Sequence, residues 1–186
     1  MYYAEIIASF FAVIYIFSAA REQYISWWWS VISSLFWAYA SFVYFRLYVD
    51  VILQIFYIGI AFVGMYHWQR DKNKRDVLPI TRMSINQHLL VIVPGFCLAY
   101  IFGYIFAKYT SAASTYIDSL TTVFSVFNTF LLVRKKIENW IYWMIIDAVM
   151  AYLFFSRGGY YFAALYSFYV FMSIDGYLKW RKKLFA

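Results

Sequence analysis

Seven long apolar runs, separated by short polar breaks, organise the chain. They cover 3–20, 26–45, 47–68, 89–107, 113–133, 140–156 and 159–180. Each is close to the roughly 20 residues that an α-helix needs to cross a bilayer. The runs are continuous and do not alternate apolar with polar residues, so the pattern predicts helices and not the strands of a membrane barrel. The breaks carry Arg21, Glu22 and Gln23, then Arg46, the charged run 69–76, Lys108, the triplet Arg134-Lys135-Lys136, and Arg157-Gly158-Gly159. The expectation is an all-α integral membrane protein with seven transmembrane helices.

Composition excludes the soluble alternative. Of 186 residues, 65% are hydrophobic, 26% aromatic and only 13% charged, too little charge to cover a soluble domain. The single cysteine, Cys97, excludes an internal disulfide framework and a cysteine-based zinc cluster, and it reads as a small buried hydrophobe. The net charge of +7 acts first as a topology signal and not as a nucleic-acid footprint. If the N-terminus shares a side with the breaks after runs 2, 4 and 6, that side holds only Arg46, Lys108 and Arg157 of the 16 basic residues. The rest fall on the opposite side, which predicts a cytoplasmic C-terminus and an external N-terminus. No basic segment precedes the first apolar run, so it reads as a retained helix and not a cleaved signal peptide.

The chain also repeats itself. Shifted by 112 positions without a gap, Trp28 falls on Trp140, Phe42 on Phe154, Tyr48 on Tyr160, Phe56 on Phe168, Tyr57 on Tyr169, Gly64 on Gly176 and Trp68 on Trp180. Helices 1–3 thus recur as helices 5–7, with helix 4 as the linker that restores orientation. This 3+1+3 parallel pseudo-repeat divides the chain into 1–70 (first bundle), 71–110 (basic loop and linker helix) and 111–186 (second bundle). In transporters, such repeats set a substrate site between the halves near mid-membrane. A duplicated structural bundle without a pathway is the competing reading.

Polar side chains within the apolar runs point to the pathway, because they are costly there unless they meet a cavity or a partner. Helix 5 carries Asp118, Thr121, Thr122, Ser125 and Asn128 at spacings of three and four, which share a face. Helix 3 offers Asp50, Gln54 and Tyr57; helix 6 Asn139, Trp143 and Asp147; helix 7 Tyr166, Tyr169 and Ser173; helix 2 Ser30, Ser33 and Trp37. Rings, amides and hydroxyls in these stripes suit a small, flat, polar solute, and a cationic ring gains further from Trp37 or Trp143. Each stripe has a structural alternative. Asp50 and Asp118 lie near outer helix ends, where a helix dipole or solvent accounts for them. Asp147 can bond to a neighbouring helix, and Tyr166 and Tyr169 can serve packing. The tryptophans near helix ends, Trp27–Trp29, Trp68 and Trp180, read as an interfacial belt. Pro94-Gly95 reads as a kink or a close approach, and His67 and His88 receive no role.

The run RKKIENW at 134–140, extended through Trp143 and Asp147, resembles the PnuC family of bacterial vitamin transporters. The resemblance continues in Gly159-Tyr160-Tyr161, in Phe168-Tyr169 with Gly176 and Trp180, and in YIDSLTTV at 116–123. In the first half it rests on Leu47 to Asp50, Gln54, Tyr57, Gly64 and Trp68. It implies a SWEET-like helical plan, a homotrimer in the bacterial inner membrane, and facilitated diffusion of nicotinamide riboside, trapped inside by phosphorylation. It implies no cofactor, no metal, no nucleic acid and no enzymatic activity; a Walker-type phosphate loop is missing from the sequence. The substrate-binding set expected is Gln54, Asp50, Tyr57, Trp37, Asp118, Thr122, Asn128, Asn139, Trp143, Asp147, Tyr166 and Tyr169. Arg134 and Glu138, four apart at the inner mouth, form a candidate gate, with a plain solvated i,i+4 pair as its alternative. Nicotinamide riboside members often carry a Trp-Pro turn in helix 2, where this chain reads SWWWS at 26–30. Thiamine or another vitamin is therefore the nearest alternative substrate. A membrane scaffold and an intramembrane enzyme using Asp118 and Asp147 are the alternatives from other classes.

Overall fold

A computed structural model of the chain describes residues 3–45, 48–72, 78–109 and 115–185, with side chains for all but 45, 48–50, 70–72 and 115. Among the described residues the fold is all-helical: α1 (Tyr3–Ala19), α2 (Ser26–Ala40), α3 (Tyr48–Lys72), α4 (Ile85–Tyr109), α5 (Thr115–Val133), α6 (Asn139–Ser156) and α7 (Tyr160–Leu184). A π-helical turn, Ser41–Phe45, continues α2. Every apolar run is thus a helix, as backbone hydrogen bonding in lipid requires. Four helices are long and apolar enough to cross a membrane, over Val51–Gln69, Ile85–Tyr109, Tyr116–Val133 and Asn139–Ser156, and Tyr3–Ala19 is a shorter apolar helix. Three of the seven expected spans fall below that measure, among them α1 with its 17 residues. In α2 the α-helical part ends after 15 residues. In α7 tyrosines and a basic last turn dilute the hydropathy.

The chain forms two compact units, one of Met1–Pro79 with Asp175–Ala186, the other of Ile80–Ile174. In the first, α1, α2 and α3 pack in sequence, and the Ser33 hydroxyl of α2 donates to the Ala8 carbonyl of α1 at 2.8 Å. The centre of this unit is a tryptophan cluster. The rings of Trp27 and Trp68 meet edge to face at 5.3 Å, and Trp68 meets Trp180 at 6.2 Å. All three are at most 2% exposed. These residues therefore form core and not the interfacial belt expected of them. Gly64 explains why: a Cβ there would run into the Trp27 indole. The glycine clears the surface on which Trp27 lies, and Trp68 follows one turn later. Gly64→Ala is expected to destabilise the protein by about 1–3 kcal/mol, the usual range for overpacking a filled core, read as a lower thermal midpoint.

Trp27, at 1% exposed, is buried as Trp140 is, whereas Trp28 is 45% exposed. Both α2 and α6 open on a buried small polar residue followed by this buried tryptophan, Ser26-Trp27 and Asn139-Trp140.

In the second unit, α4 and α6 each pack on α5. Gly95, Ala99 and Gly103, four apart, are the buried residues of α4. A Cβ on Gly95 would come within 2.7 Å of the Phe124 ring, and one on Gly103 would strike Tyr116. This small-residue stripe brings the helices close. Phe96 and Phe124 then meet edge to face at 5.3 Å, and Tyr100 and Tyr116 lie tilted at 5.9 Å. Pro94-Gly95 thus serves a close approach. Cys97, on the same helix, is exposed and not the buried hydrophobe expected, and its neighbours Phe96 and Leu98 are exposed too, as on a helix that faces lipid. Gly158, at φ +75°, makes the left-handed turn between α6 and α7, where the amides of Gly158 and Gly159 return to the carbonyls of Phe155 and Phe154 at 3.1 and 2.8 Å.

Candidate functional site

The basic motif between α5 and α6 is an anchored turn. Lys135, fully buried, takes a left-handed conformation at φ 50° and reverses the chain. Lys136 then pairs with Thr81 in an isolated parallel β-bridge. The Thr81 amide donates to the Lys135 carbonyl at 3.1 Å, and the Ile137 amide donates to the Thr81 carbonyl at 3.0 Å. The Lys136 ammonium donates to the Arg82 carbonyl at 3.3 Å. Glu138 fixes the same segment: one carboxylate oxygen accepts from the Met83 amide at 2.9 Å, and the other lies 3.9 Å from the Arg82 guanidinium.

The expected gate residues, Arg134 and Glu138, both sit on this turn. Residues 134–138 form a turn and not a helix, so i,i+4 spacing does not bring Arg134 and Glu138 side by side. Glu138 is 7% exposed and faces the loop before α4, and Arg134 is exposed. Asn139 and Asn128 extend the anchor. The backbone and side-chain amides of Asn139 both donate to the Lys136 carbonyl, at 3.1 and 2.6 Å. The Asn128 amide donates to the Asn139 carbonyl at 2.9 Å. The side-chain oxygens of Asn128 and Asn139 remain buried without a partner among the described residues, so each keeps one acceptor.

Further along α6, Trp143 is half-buried and Asp147 only 4% exposed. Their spacing from Asn139 puts all three on one helix face, as expected. Asp147 lies within electrostatic reach of the Tyr169 phenol. Tyr169 meets Tyr166 edge to face at 5.7 Å, and Tyr166 stacks on Phe154 at 5.5 Å with the rings 12° apart. The second unit thus gathers Asp147, Tyr166, Tyr169 and Phe154 into one acidic and aromatic group. Phe154 carried no role in the sequence because a phenylalanine in an apolar run gives no signal of its own.

On α5 the polar face is narrower than the spacing predicts. Asp118 is half-buried within electrostatic reach of Arg157. The Thr121 hydroxyl bonds to the carbonyls of Ile117 and Asp118 at 3.0 and 3.1 Å. Thr122 is exposed; at 100° per residue it stands about 120° from Asn128 and falls off the buried face. In the first unit, Gln54 is 7% exposed, and Trp37 and Tyr57 are half-buried. Tyr57 lies within electrostatic reach of Tyr15, half-buried in α1. Asp50 lies outside the residues whose side chains are described. The sequence reading also passed over His88, whose Nδ1 lies 2.9 Å from the Tyr142 hydroxyl, and Glu5, 4% exposed in α1.

The chain matches the family described as Nicotinamide mononucleotide transporter over residues 2–182. It belongs to that family. As a family member it is a multi-pass membrane transporter and not an enzyme. Its relatives include the nicotinamide riboside transporter PnuC of Escherichia coli (strain K12), 24% identical over 161 residues that span 73% of this chain and 67% of the relative. The protein of the same name from Neisseria mucosa is 24% identical over 164 residues, 82% of this chain and 62% of the relative. Family members of known structure include the vitamin B3 transporter PnuC, whose crystal structure matches with a TM-score of 0.77 at 21% identity. That match covers 98% of this chain and 82% of the other, and it shows a shared fold.

Proposed function

We propose that this chain carries nicotinamide riboside across the bacterial inner membrane by facilitated diffusion, with phosphorylation inside the cell trapping the product. The observation that supports this most directly is the buried Asp147, within electrostatic reach of Tyr169 and on the α6 face that also carries Trp143. A carboxylate in a membrane helix is costly and marks a pathway by default. Beside aromatic rings it suits a cationic pyridinium, which gains from both charge and ring faces. Trp143 stacks on the ring, Asp147 offsets its charge, and Tyr166 and Tyr169 border it. Asn128 and Asn139 offer their remaining carbonyl oxygens to a carboxamide or ribose donor. Gln54, Tyr57, Trp37 and Asp50, the candidates of the first half, belong to the first unit. Asp118 and Thr122 complete the expected set near the other end of α5.

Seven transmembrane helices arranged 3+1+3 as parallel repeats of 1–70 and 111–186 around the 71–110 linker, an external N-terminus, a homotrimer and alternating access of the triplets complete the reading. The charge asymmetry of the loops and the recurring Gly-x-x-x-Trp motif support it. Thiamine remains the second substrate to compare. Uptake of labelled nicotinamide riboside and labelled thiamine by proteoliposomes containing the purified chain tests the proposal. Selective entry of the first is the expected result.

A further inference from the structure

The starts of α4 and α6 are tied together by the Met83–Glu138 and His88–Tyr142 contacts. Between the two helices lies a cavity of about 240 Å³, lined by His88, Ile92, Glu138, Ile141, Tyr142 and Ile145. Its lining is graded. Glu138, His88 and Tyr142 stand in the first turns, while Ile92 and Ile145 lie one turn further into the apolar span. Ile141 and Ile145 are 40% and 59% exposed, so the groove is open to its surroundings. In a membrane protein those surroundings are acyl chains.

Two basic residues lie close to the polar end. Arg82, 69% exposed, lies beside Glu138, and the Lys136 ammonium sits on the Arg82 carbonyl. Both cations lie outside the cavity lining, near its one carboxylate, Glu138, which already accepts from the Met83 amide. His88 and Tyr142 bond to one another through one ring nitrogen and the phenol, which leaves the second ring nitrogen and part of the hydroxyl's capacity for a ligand.

We propose that this groove holds one anionic phospholipid from the leaflet that meets the starts of α4 and α6. Its phosphodiester lies at Arg82 and Lys136, its glycerol ester oxygens reach His88 and Tyr142, and one acyl chain runs along Ile92, Ile141 and Ile145. A basic pocket between membrane helices at the headgroup level is the general form of such a site. Charge complementarity selects the headgroup: a zwitterionic lipid brings no net charge to Arg82 and Lys136. The apolar floor selects a lipid over a soluble phosphate.

Native mass spectrometry of the full chain, given equal phosphatidylglycerol and phosphatidylcholine, tests the assignment. The expected result is one tightly retained phosphatidylglycerol per protomer. Arg82→Gln and Lys136→Gln should each weaken its retention by about fivefold, the effect of one basic residue at a membrane surface. Ile145→Trp, which fills the apolar floor, should remove it while the thermal midpoint stays unchanged. Equal retention of the two lipids overturns the proposal, as does phosphatidylglycerol retention that survives both charge substitutions. Displacement by millimolar inorganic phosphate alone overturns it in favour of a soluble anion. If Ile145→Trp changes the number of protomers and leaves bound lipid unchanged, a second copy of the chain covers the groove and the proposal is wrong.

Discussion

Glu138→Ala is expected to destabilise the protein by about 1.5–3 kcal/mol, the range for a hydrogen bond to a charged group whose loss leaves a partner unsatisfied. The Met83 amide loses its acceptor, and the segment before α4 loses its tie to the α5–α6 turn. The ion pair with Arg82 adds little, because Arg82 is mostly exposed and its charge is screened. Glu138→Gln keeps an oxygen for the Met83 amide and should retain most of the stability. Arg134→Gln, on an exposed side chain, should stay within about 0.5 kcal/mol of the parent. Thermal unfolding of the three variants in one detergent checks the set. If Arg134→Gln matched Glu138→Ala, Glu138 would belong to a pair with Arg134 and the anchored turn would be misassigned.

The second large effect is on binding. Asp147→Asn keeps the shape of the side chain and removes its charge, so affinity for nicotinamide riboside should fall by about 10- to 100-fold, as for a charge-assisted contact. The unfolding midpoint should move little, because the neutral amide is easier to bury than the carboxylate. Trp143→Ala should also weaken binding, by about the 1–3 kcal/mol of one base stacked on an aromatic side chain. Isothermal titration of the folded variants measures both. An unchanged Kd for Asp147→Asn would remove that carboxylate from the site and leave its burial to packing alone.

The helices were legible in the sequence because lipid permits little else. An apolar run of membrane length must satisfy its own backbone, and all seven expected helices are present within a few residues of their expected bounds. What the helices touch was less legible. Trp27, Trp68 and Trp180 sit near helix ends, where tryptophan usually marks the headgroup layer, and composition does not separate that role from burial. Gly64 carried the missing information: a glycine one turn before Trp68 signals a close approach, here by Trp27.

At the candidate site, periodicity placed Asn139, Trp143 and Asp147 on one face but gave no account of hydrogen bonds already spent. Asn128 and Asn139 use their amides to close the α5–α6 turn, a tertiary contact that no spacing rule contains. Glu138 shows the same limit. Its partners lie more than 50 positions earlier in the chain, and the sequence offered only the nearer Arg134.

The central claim is that this chain moves nicotinamide riboside without an energy source. The most direct test is counterflow in proteoliposomes containing the purified protein and no ATP or imposed ion gradient. Vesicles preloaded with unlabelled nicotinamide riboside should transiently accumulate the labelled compound, and vesicles preloaded with thiamine should not. Absence of counterflow by folded protein, or accumulation only when an ion gradient is imposed, would contradict the account.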